Sequence, residues 1–178
     1  TNADSLSVIR KVGKKIAKDF FKQTNCKPKR IALLLGKGNN AADAVAFALK
    51  LCKKFPKCKV CICLFFDESK LGANLRTLLC ELESGFCTER KSLSEISEKR
   101  YDIVAEGIAA LRFSGGLSPE FCGYVNAANA LQSNYKIAVD MPFGIGEKPA
   151  KTAFAADYTY ATGIAKSPLF CDFNAKYV

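Results

Sequence analysis

The chain has 178 residues, of which 49% are hydrophobic and 25% are charged, and these proportions exclude a disordered or low-complexity protein. This length predicts one folded domain over residues 1–178. The formal net charge is +10, and the excess lies in residues 1–60, which hold 15 basic and 3 acidic residues. Such an asymmetry is typical of a solvated helix surface, although it also suits phosphates, nucleic acid or an acidic protein partner.

Histidine is absent, which excludes serine–histidine, cysteine–histidine and histidine-ligated metal chemistry. The most apolar uncharged run, residues 60–66, is too short to cross a bilayer, and no secretory leader opens the chain. Nine cysteines, an odd number, therefore predict reduced thiols. Together these features predict a cytoplasmic protein without a membrane partner.

The predicted elements alternate between helix and strand. Leu6, Ile9, Val12, Ile16 and Phe20 recur at helical spacing and predict a first amphipathic helix with a basic outer face. The later elements, in chain order, are a strand at 31–35, a helix at 41–55, a strand at 59–66, helices at 71–83 and 93–99, a strand at 101–107, a helix at 119–132, and strands at 136–140 and 157–162. This alternation predicts an α/β fold with a mostly parallel sheet and helices on both faces.

Cys58, Cys61 and Cys63 form a CxxCxC motif, which is a candidate metal or redox site. They lie in a run with the composition of a strand, where alternate side chains face opposite sides of the sheet. Cys61 and Cys63 would then share one face and Cys58 the other. We therefore interpret the three thiols as core residues.

Acidic side chains follow several of the predicted strands. Asp43 lies just beyond the first strand, Glu106 ends the strand at 101–107, and Asp140 ends the strand at 136–140. Open parallel sheets bind ligands outside the carboxyl ends of their strands. Taken as a set, these three carboxylates predict a binding or catalytic cleft.

The first strand is followed by a loop, Gly36-Lys37-Gly38-Asn39-Asn40-Ala41, which fits the relaxed GxGxx(G/A) pattern of dinucleotide-binding folds. Glycines in that position let the backbone approach a pyrophosphate at a helix N-terminus. The two adjacent asparagines are unusual there and indicate side-chain amides that contact a ligand.

Three segments resemble motifs of the YjeF N-terminal domain family, the NAD(P)H-hydrate epimerases. IALLLGKGNNAAD (residues 31–43) is similar to the family's strand followed by GxGNNGGD. YDIVAEGIAALRFSG (residues 101–115) is similar to DLVVDALFGTGLSG, and KIAVDMPFG (residues 136–144) to VAVDIPSG. The resemblance runs from the first helix to Phe170.

This resemblance implies a three-layer α/β/α, Rossmann-like fold that epimerises the hydrated nicotinamide ring of NADHX and NADPHX as a homodimer. It implies that Asp140 is the catalytic group and that Asn40 and Glu106 correspond to potassium ligands. The residues that it implies for substrate binding fall in two segments: Asn39, Asn40, Ala41, Ala42 and Asp43, then Ala110, Leu111, Arg112, Phe113 and Ser114.

The chain also departs from the family pattern. Glu106 replaces an aspartate, and Phe143 replaces the serine whose hydroxyl ligates potassium. Ala110, Leu111 and Arg112 replace a Gly-Thr-Gly phosphate loop, which removes glycines and adds a cation. These changes predict weak or absent potassium binding. They also leave an alternative: a catalytically degenerate binding or scaffold domain for RNA or an acidic protein, with nucleic acid the less favoured partner.

Overall fold

The computed structural model describes residues 2–108, 118–146, 148 and 152–178. Within these residues, six strands form one sheet in the order β3-β2-β1-β4-β5-β6, and every neighbouring pair is parallel. The strands are β1 (Arg30–Leu35), β2 (Lys59–Leu64), β3 (Thr88–Arg90), β4 (Arg100–Gly107), β5 (Gln132–Val139) and β6 (Tyr158–Tyr160). The helices are α1 (Asn2–Thr24), α2 (Asn39–Lys54), α3 (Ala73–Gly85), α4 (Leu93–Ile96) and α5 (Pro119–Ala130).

Side chains of the central strands alternate between two apolar cores. Ile31, Leu33 and Leu35 of β1 pack with residues of α1, α2 and α3. Ala32 and Leu34 pack on the other face with residues of α4 and α5. This alternation produces three layers because each face of a buried parallel sheet needs a helical cover. The predicted α/β fold with helices on both faces is confirmed.

The cysteine motif divides between the two cores as its spacing predicts. Cys58 lies in the core beneath α2, whereas Cys61 and Cys63 lie in the core on the opposite face. Within the described residues, no group of three or more histidine, cysteine, aspartate or glutamate side chains is placed to hold a metal ion. The three thiols are buried core residues.

Several element boundaries differ from the predictions. The helix predicted from residue 41 begins at Asn39, so both asparagines belong to its first turn. β5 begins at Gln132, where the sequence predicts helix, because β4 pairs Arg100 with Gln132 and Tyr101 with Ser133. The sequence also missed β3, which has only three residues and depends on pairing with β2.

No helix among the residues described is both long and apolar enough to cross a membrane.

Candidate functional site

The site lies where the strand order of the sheet reverses. β1 and β4 are hydrogen-bonded neighbours, yet β2 lies on the far side of β1 and β5 lies on the far side of β4. The chain therefore leaves the carboxyl ends of β1 and β4 in opposite directions and opens a crevice between them. In parallel α/β sheets, ligands bind at this position.

Two glycines bring the backbone segments at this crevice close together. A Cβ atom on Gly107 would lie 2.6 Å from the carbonyl oxygen of Asn40. A Cβ atom on Gly36 would lie 2.9 Å from the Cα atom of Ile108. Glycine at position 107 therefore allows the first turn of α2 to rest against the end of β4, and glycine at position 36 allows the chain after β1 to pass close to Ile108.

Asp140 and Asn40 meet across this crevice. The Asn40 side-chain amide donates a hydrogen bond of 3.3 Å to Oδ2 of Asp140. Asp140 directly follows β5 and has a positive φ of 78°. Its N–H donates to the carbonyl oxygen of Tyr160 at 2.9 Å, and this bond to β6 fixes the backbone in that unusual conformation.

Two further side chains hold the second oxygen of Asp140. The ammonium group of Lys166 forms an ion pair with Oδ1. Thr162 donates to the same oxygen from its hydroxyl at 2.9 Å and from its N–H at 3.3 Å. Both residues follow β6, so the segment after the last strand folds back over the carboxyl end of β5.

Asp43 lies one turn beyond Asn39 in α2 and is 5% exposed. Its Oδ1 is buried without a hydrogen-bond partner among the described residues. Burial, and secondarily the negative charge of Asp140, raise the pKa of Asp43 to about 7. A carboxyl group with a pKa near neutrality can both donate and accept a proton at physiological pH.

Glu106 is buried at the end of β4, where backbone donors hold its carboxylate. Oε1 accepts the N–H of Ile108 at 2.6 Å, and Oε2 accepts the N–H of Phe143 at 3.3 Å. The Phe143 ring is also buried and lies 5.9 Å from the rings of both Phe65 and Phe121. At position 143 the chain therefore offers a backbone N–H donor and an aromatic ring, but no side-chain oxygen.

The structure brings four predicted site residues to one edge of the sheet: Asn40, Asp43, Glu106 and Asp140. Asn39 is exposed at the start of α2, whereas Ala41 and Ala42, also predicted to contact substrate, are wholly buried in the core. Residues 110–114, predicted to contact substrate, lie outside the described residues.

Sequence reasoning missed Lys166 and Thr162. The available signal was their position, with Thr162 at the end of the predicted strand 157–162 and Lys166 shortly after it, at the same carboxyl edge as Asp140. Neither residue belongs to a motif, so the local sequence does not indicate that Lys166 pairs with Asp140.

Together, a parallel sheet, a crevice at its switch point and a polar helix N-terminus define a Rossmann-like α/β protein with its site at the carboxyl edge. Residues 5–167 match the family model described as YjeF-related protein N-terminus. The chain belongs to this family.

Two curated relatives match most of the chain. One, from Helicobacter pylori, is named bifunctional NAD(P)H-hydrate repair enzyme Nnr; it is 29% identical over 163 residues, covering 84% of this chain and 31% of the relative. The other, from Elusimicrobium minutum, is named NAD(P)H-hydrate epimerase; it is 26% identical over 147 residues, covering 79% of this chain and 66% of the relative. The chain thus spans about a third of the first relative and about two thirds of the second.

A solved structure shares the fold. The crystal structure of the yeast protein ynu0, YNL200c, has a TM-score of 0.68 at 16% identity and covers 88% of this chain and 70% of that one.

Proposed function

We propose that this chain is an NAD(P)H-hydrate epimerase, which interconverts the S and R forms of hydrated NADH and NADPH. The observation that carries the proposal is the contact between Asn40 and Asp140 in the crevice of a chain of this family. The names of the two relatives point to the same activity.

In this proposal the crevice residues divide into binding and proton-transfer roles. Asn39 and Asn40, at the N-terminus of α2, bind the polar groups of the dinucleotide, because backbone N–H groups and the helix dipole there favour anions. Residues 110–114 complete the binding site. Inversion at the hydrated ring carbon requires that its bond to the hydroxyl oxygen breaks, with water leaving, and re-forms when water adds to the opposite face. Asp140 is the proposed acid/base group, which donates a proton to the departing hydroxyl and takes one from the returning water.

Lys166 and Thr162 have a supporting role in the proposal. Their three donor groups on Oδ1 fix the orientation of the Asp140 carboxylate. Oδ2, which accepts the amide of Asn40, is the oxygen that we assign to proton transfer. Substrate binding would displace or reorient that amide.

Potassium fits this donor set poorly. Cations of this kind require several oxygen ligands at suitable distances. Both oxygens of Glu106 accept backbone N–H groups, and Phe143 offers no side-chain oxygen. The proposed reaction therefore does not use potassium. We expect equal epimerisation rates in potassium and sodium buffers. Strong activation by potassium alone would contradict this expectation.

A second candidate function, a catalytically degenerate binding domain, is favoured by Phe143. Its buried ring occupies the position where the family pattern has a potassium-ligating serine and packs against Phe65 and Phe121. A domain that has lost this chemistry would retain the fold and the crevice but would not interconvert the two hydrates.

A single assay separates the two candidates. Each hydrate is incubated with the protein, and its conversion into the other form is followed by NMR. We expect interconversion by the wild type and a rate about 10² to 10⁴ lower for Asp140→Asn, as is typical when a general acid/base group is removed.

Asp172→Asn, which alters an exposed carboxylate in the C-terminal segment, is the matched control and should keep the wild-type rate. An inactive wild type would establish the degenerate domain. An active Asp140→Asn variant would leave the epimerase proposal standing and remove Asp140 from its catalytic role.

A further inference from the structure

The opposite edge of the sheet carries a strongly basic pocket that the proposed epimerase function does not use. This pocket has a volume of about 510 Å³ and is lined by Lys29, Arg30, Lys57, Lys59, Arg100 and Asp102. The lining residues lie at or just before the amino ends of β1, β2 and β4. Five cations therefore surround a single carboxylate.

That carboxylate, from Asp102, already accepts hydrogen bonds from neighbouring residues. Oδ2 of Asp102 accepts the N–H groups of Lys29 at 2.8 Å and Arg30 at 2.9 Å. Oδ1 accepts the side-chain amide of Asn134 at 3.2 Å. Asp102 thus holds the start of β1 in place, and its single charge leaves the pocket strongly positive.

Several other surface cations of the described residues have acidic partners. Arg10 and Lys53 both pair with Glu81, and Lys91 and Lys99 both pair with Glu89. Among the described residues, neither the five cations of the pocket nor Lys11 and Lys15 of α1 have an ion pair within 4 Å; the pocket cations differ in that they line one concavity. Concentrating like charges in one concavity is costly unless an anion neutralises them.

The strand register sets the spacing of these cations. Lys59 is directly opposite Arg30 in the parallel ladder of β1 and β2, and neighbouring strands lie about 4.8 Å apart. Arg100 lies at the start of the next strand, β4, where its guanidinium donates to Oδ1 of Asn134 at 2.8 Å. Cations on three adjacent strands can contact successive charged groups of one short ligand.

We propose that this amino-edge pocket binds an oligophosphate, such as inorganic tripolyphosphate or the phosphate chain of a nucleoside triphosphate. Such a ligand carries several negative charges in a small volume, so it can pair with all five cations of the pocket at once. Surfaces that bind single-stranded nucleic acid combine an extended basic groove with aromatic side chains for base stacking. No aromatic side chain is among the residues that line this pocket, which favours the compact anion.

The pocket is separate from the crevice. β1 runs between the two edges and contains six residues, which corresponds to a length of about 20 Å. Binding at the amino edge is therefore independent of the epimerase proposal and can be tested without an activity assay.

The test is isothermal titration calorimetry with sodium tripolyphosphate at physiological salt. We expect saturable binding by the wild type that weakens as salt increases, because screening reduces the attraction. The double variant Lys57→Gln/Lys59→Gln should bind about tenfold more weakly or worse, since two charges facing the ligand are removed. Circular dichroism and thermal unfolding without ligand establish that the variant is folded.

Lys11→Gln/Lys15→Gln is the matched control, because it removes the same charge from an exposed face of α1. It should bind within about twofold of the wild type if recognition is local rather than a property of net charge. An equal loss in both double variants, or no saturable binding by the wild type, would overturn the proposal.

Titrations with three other ligands test which chemical group the pocket recognises. ATP binding as tightly as tripolyphosphate would support the phosphate chain as the recognised group, and tighter ATP binding would support it with an added contact to the base or ribose. Orthophosphate binding as tightly as tripolyphosphate, or a single-stranded oligoribonucleotide binding more tightly than either, would contradict the proposed oligophosphate site.

Discussion

At the scale of single residues, the crevice contains two carboxyl groups in different environments. Asp140 has partners on both oxygens, including Asn40 and Lys166. Asp43 is buried nearby, with one oxygen unpartnered among the described residues and a pKa of about 7. Burial disfavours the ionised form of Asp43, whereas local donors surround Asp140. Their different environments predict different responses to mutation.

The raised pKa of Asp43 predicts a pH-dependent stability. The folded state retains this proton up to about pH 7, while the unfolded chain releases it near pH 4. The free energy of unfolding contributed by Asp43 therefore falls as pH rises between these values. Asp43→Asn removes this titration, so its stability relative to the wild type should increase between pH 5 and pH 8, by about 2–3 kcal/mol.

Urea unfolding of both proteins at the two pH values measures this difference. Asp172→Asn is again the control, since its carboxylate is exposed. A stability difference between Asp43→Asn and the wild type that does not change with pH would show that Asp43 is ionised throughout the folded state in this range.

Lys166 predicts a second residue-scale effect, which depends on the proposed function. Lys166→Met removes the cation from Oδ1 of Asp140, and a hydrogen bond to a charged group contributes about 1.5–3 kcal/mol. We expect kcat to fall about 10- to 100-fold and its pH profile to shift, with partial recovery in Lys166→Arg. Lys50→Gln, on the exposed side of α2, should match the wild type in the same epimerisation assay.

A change in KM alone for Lys166→Met would contradict this positioning role. Such a result would instead indicate that Lys166 contacts the substrate directly and acts equally in the ground and transition states.

At the scale of elements, the position of α2 determines the site, and α1 helps to fix it. A Cβ atom on Gly13 of α1 would lie 2.5 Å from the Cβ atom of Ala46 in α2. The two helices therefore approach more closely at this point than any larger residue would allow. At the N-terminal end of α2, Gly107 permits a similar approach between Asn40 and β4.

This close packing predicts opposite outcomes for the same substitution in two helices. Gly13→Ala improves helix propensity but inserts a methyl group against α2, so we expect a net loss of about 1–3 kcal/mol in the free energy of unfolding. Gly123→Ala in α5 meets nothing within 4 Å and should gain up to about 1 kcal/mol. Thermal and urea unfolding of both variants measure these changes, and stabilisation by Gly13→Ala would show that α1 can move away from α2 at little cost.

At the scale of the whole molecule, the sheet separates two electrostatic environments. Its carboxyl edge carries Asp43, Glu106 and Asp140, and its amino edge carries the basic pocket. The basic excess of residues 1–60 is therefore not confined to the outer face of α1, since Lys29, Arg30, Lys57 and Lys59 all line that pocket. This separation allows the two proposed sites to be altered independently.

The homodimer implied by the family resemblance stays a prediction at this scale. Sedimentation equilibrium of the chain at several concentrations would measure it, with a mass twice that of the 178-residue chain as the expected result. A monomer at the highest concentration would contradict it.

The sequence by itself determined the layers and the edge at which the crevice residues lie. Apolar periodicity records which side chains are buried, so the alternation of helix and strand and the division of Cys58 from Cys61 and Cys63 could be predicted locally. The motifs containing Asn40 and Asp140 could be assigned to strand ends for the same reason, and the structure brings these two residues into contact.

Only the tertiary structure decided which groups those residues meet. Asn40 and Asp140 form a hydrogen bond although they are 100 positions apart in the sequence. Asp102 and Lys29, which also share a hydrogen bond, are 73 positions apart. The paths of the connecting segments bring Lys166 onto Asp140, the N–H groups of Ile108 and Phe143 onto Glu106, and five cations into one pocket. Local sequence patterns encode burial but not these paths, because contacts between distant segments depend on how the whole chain packs.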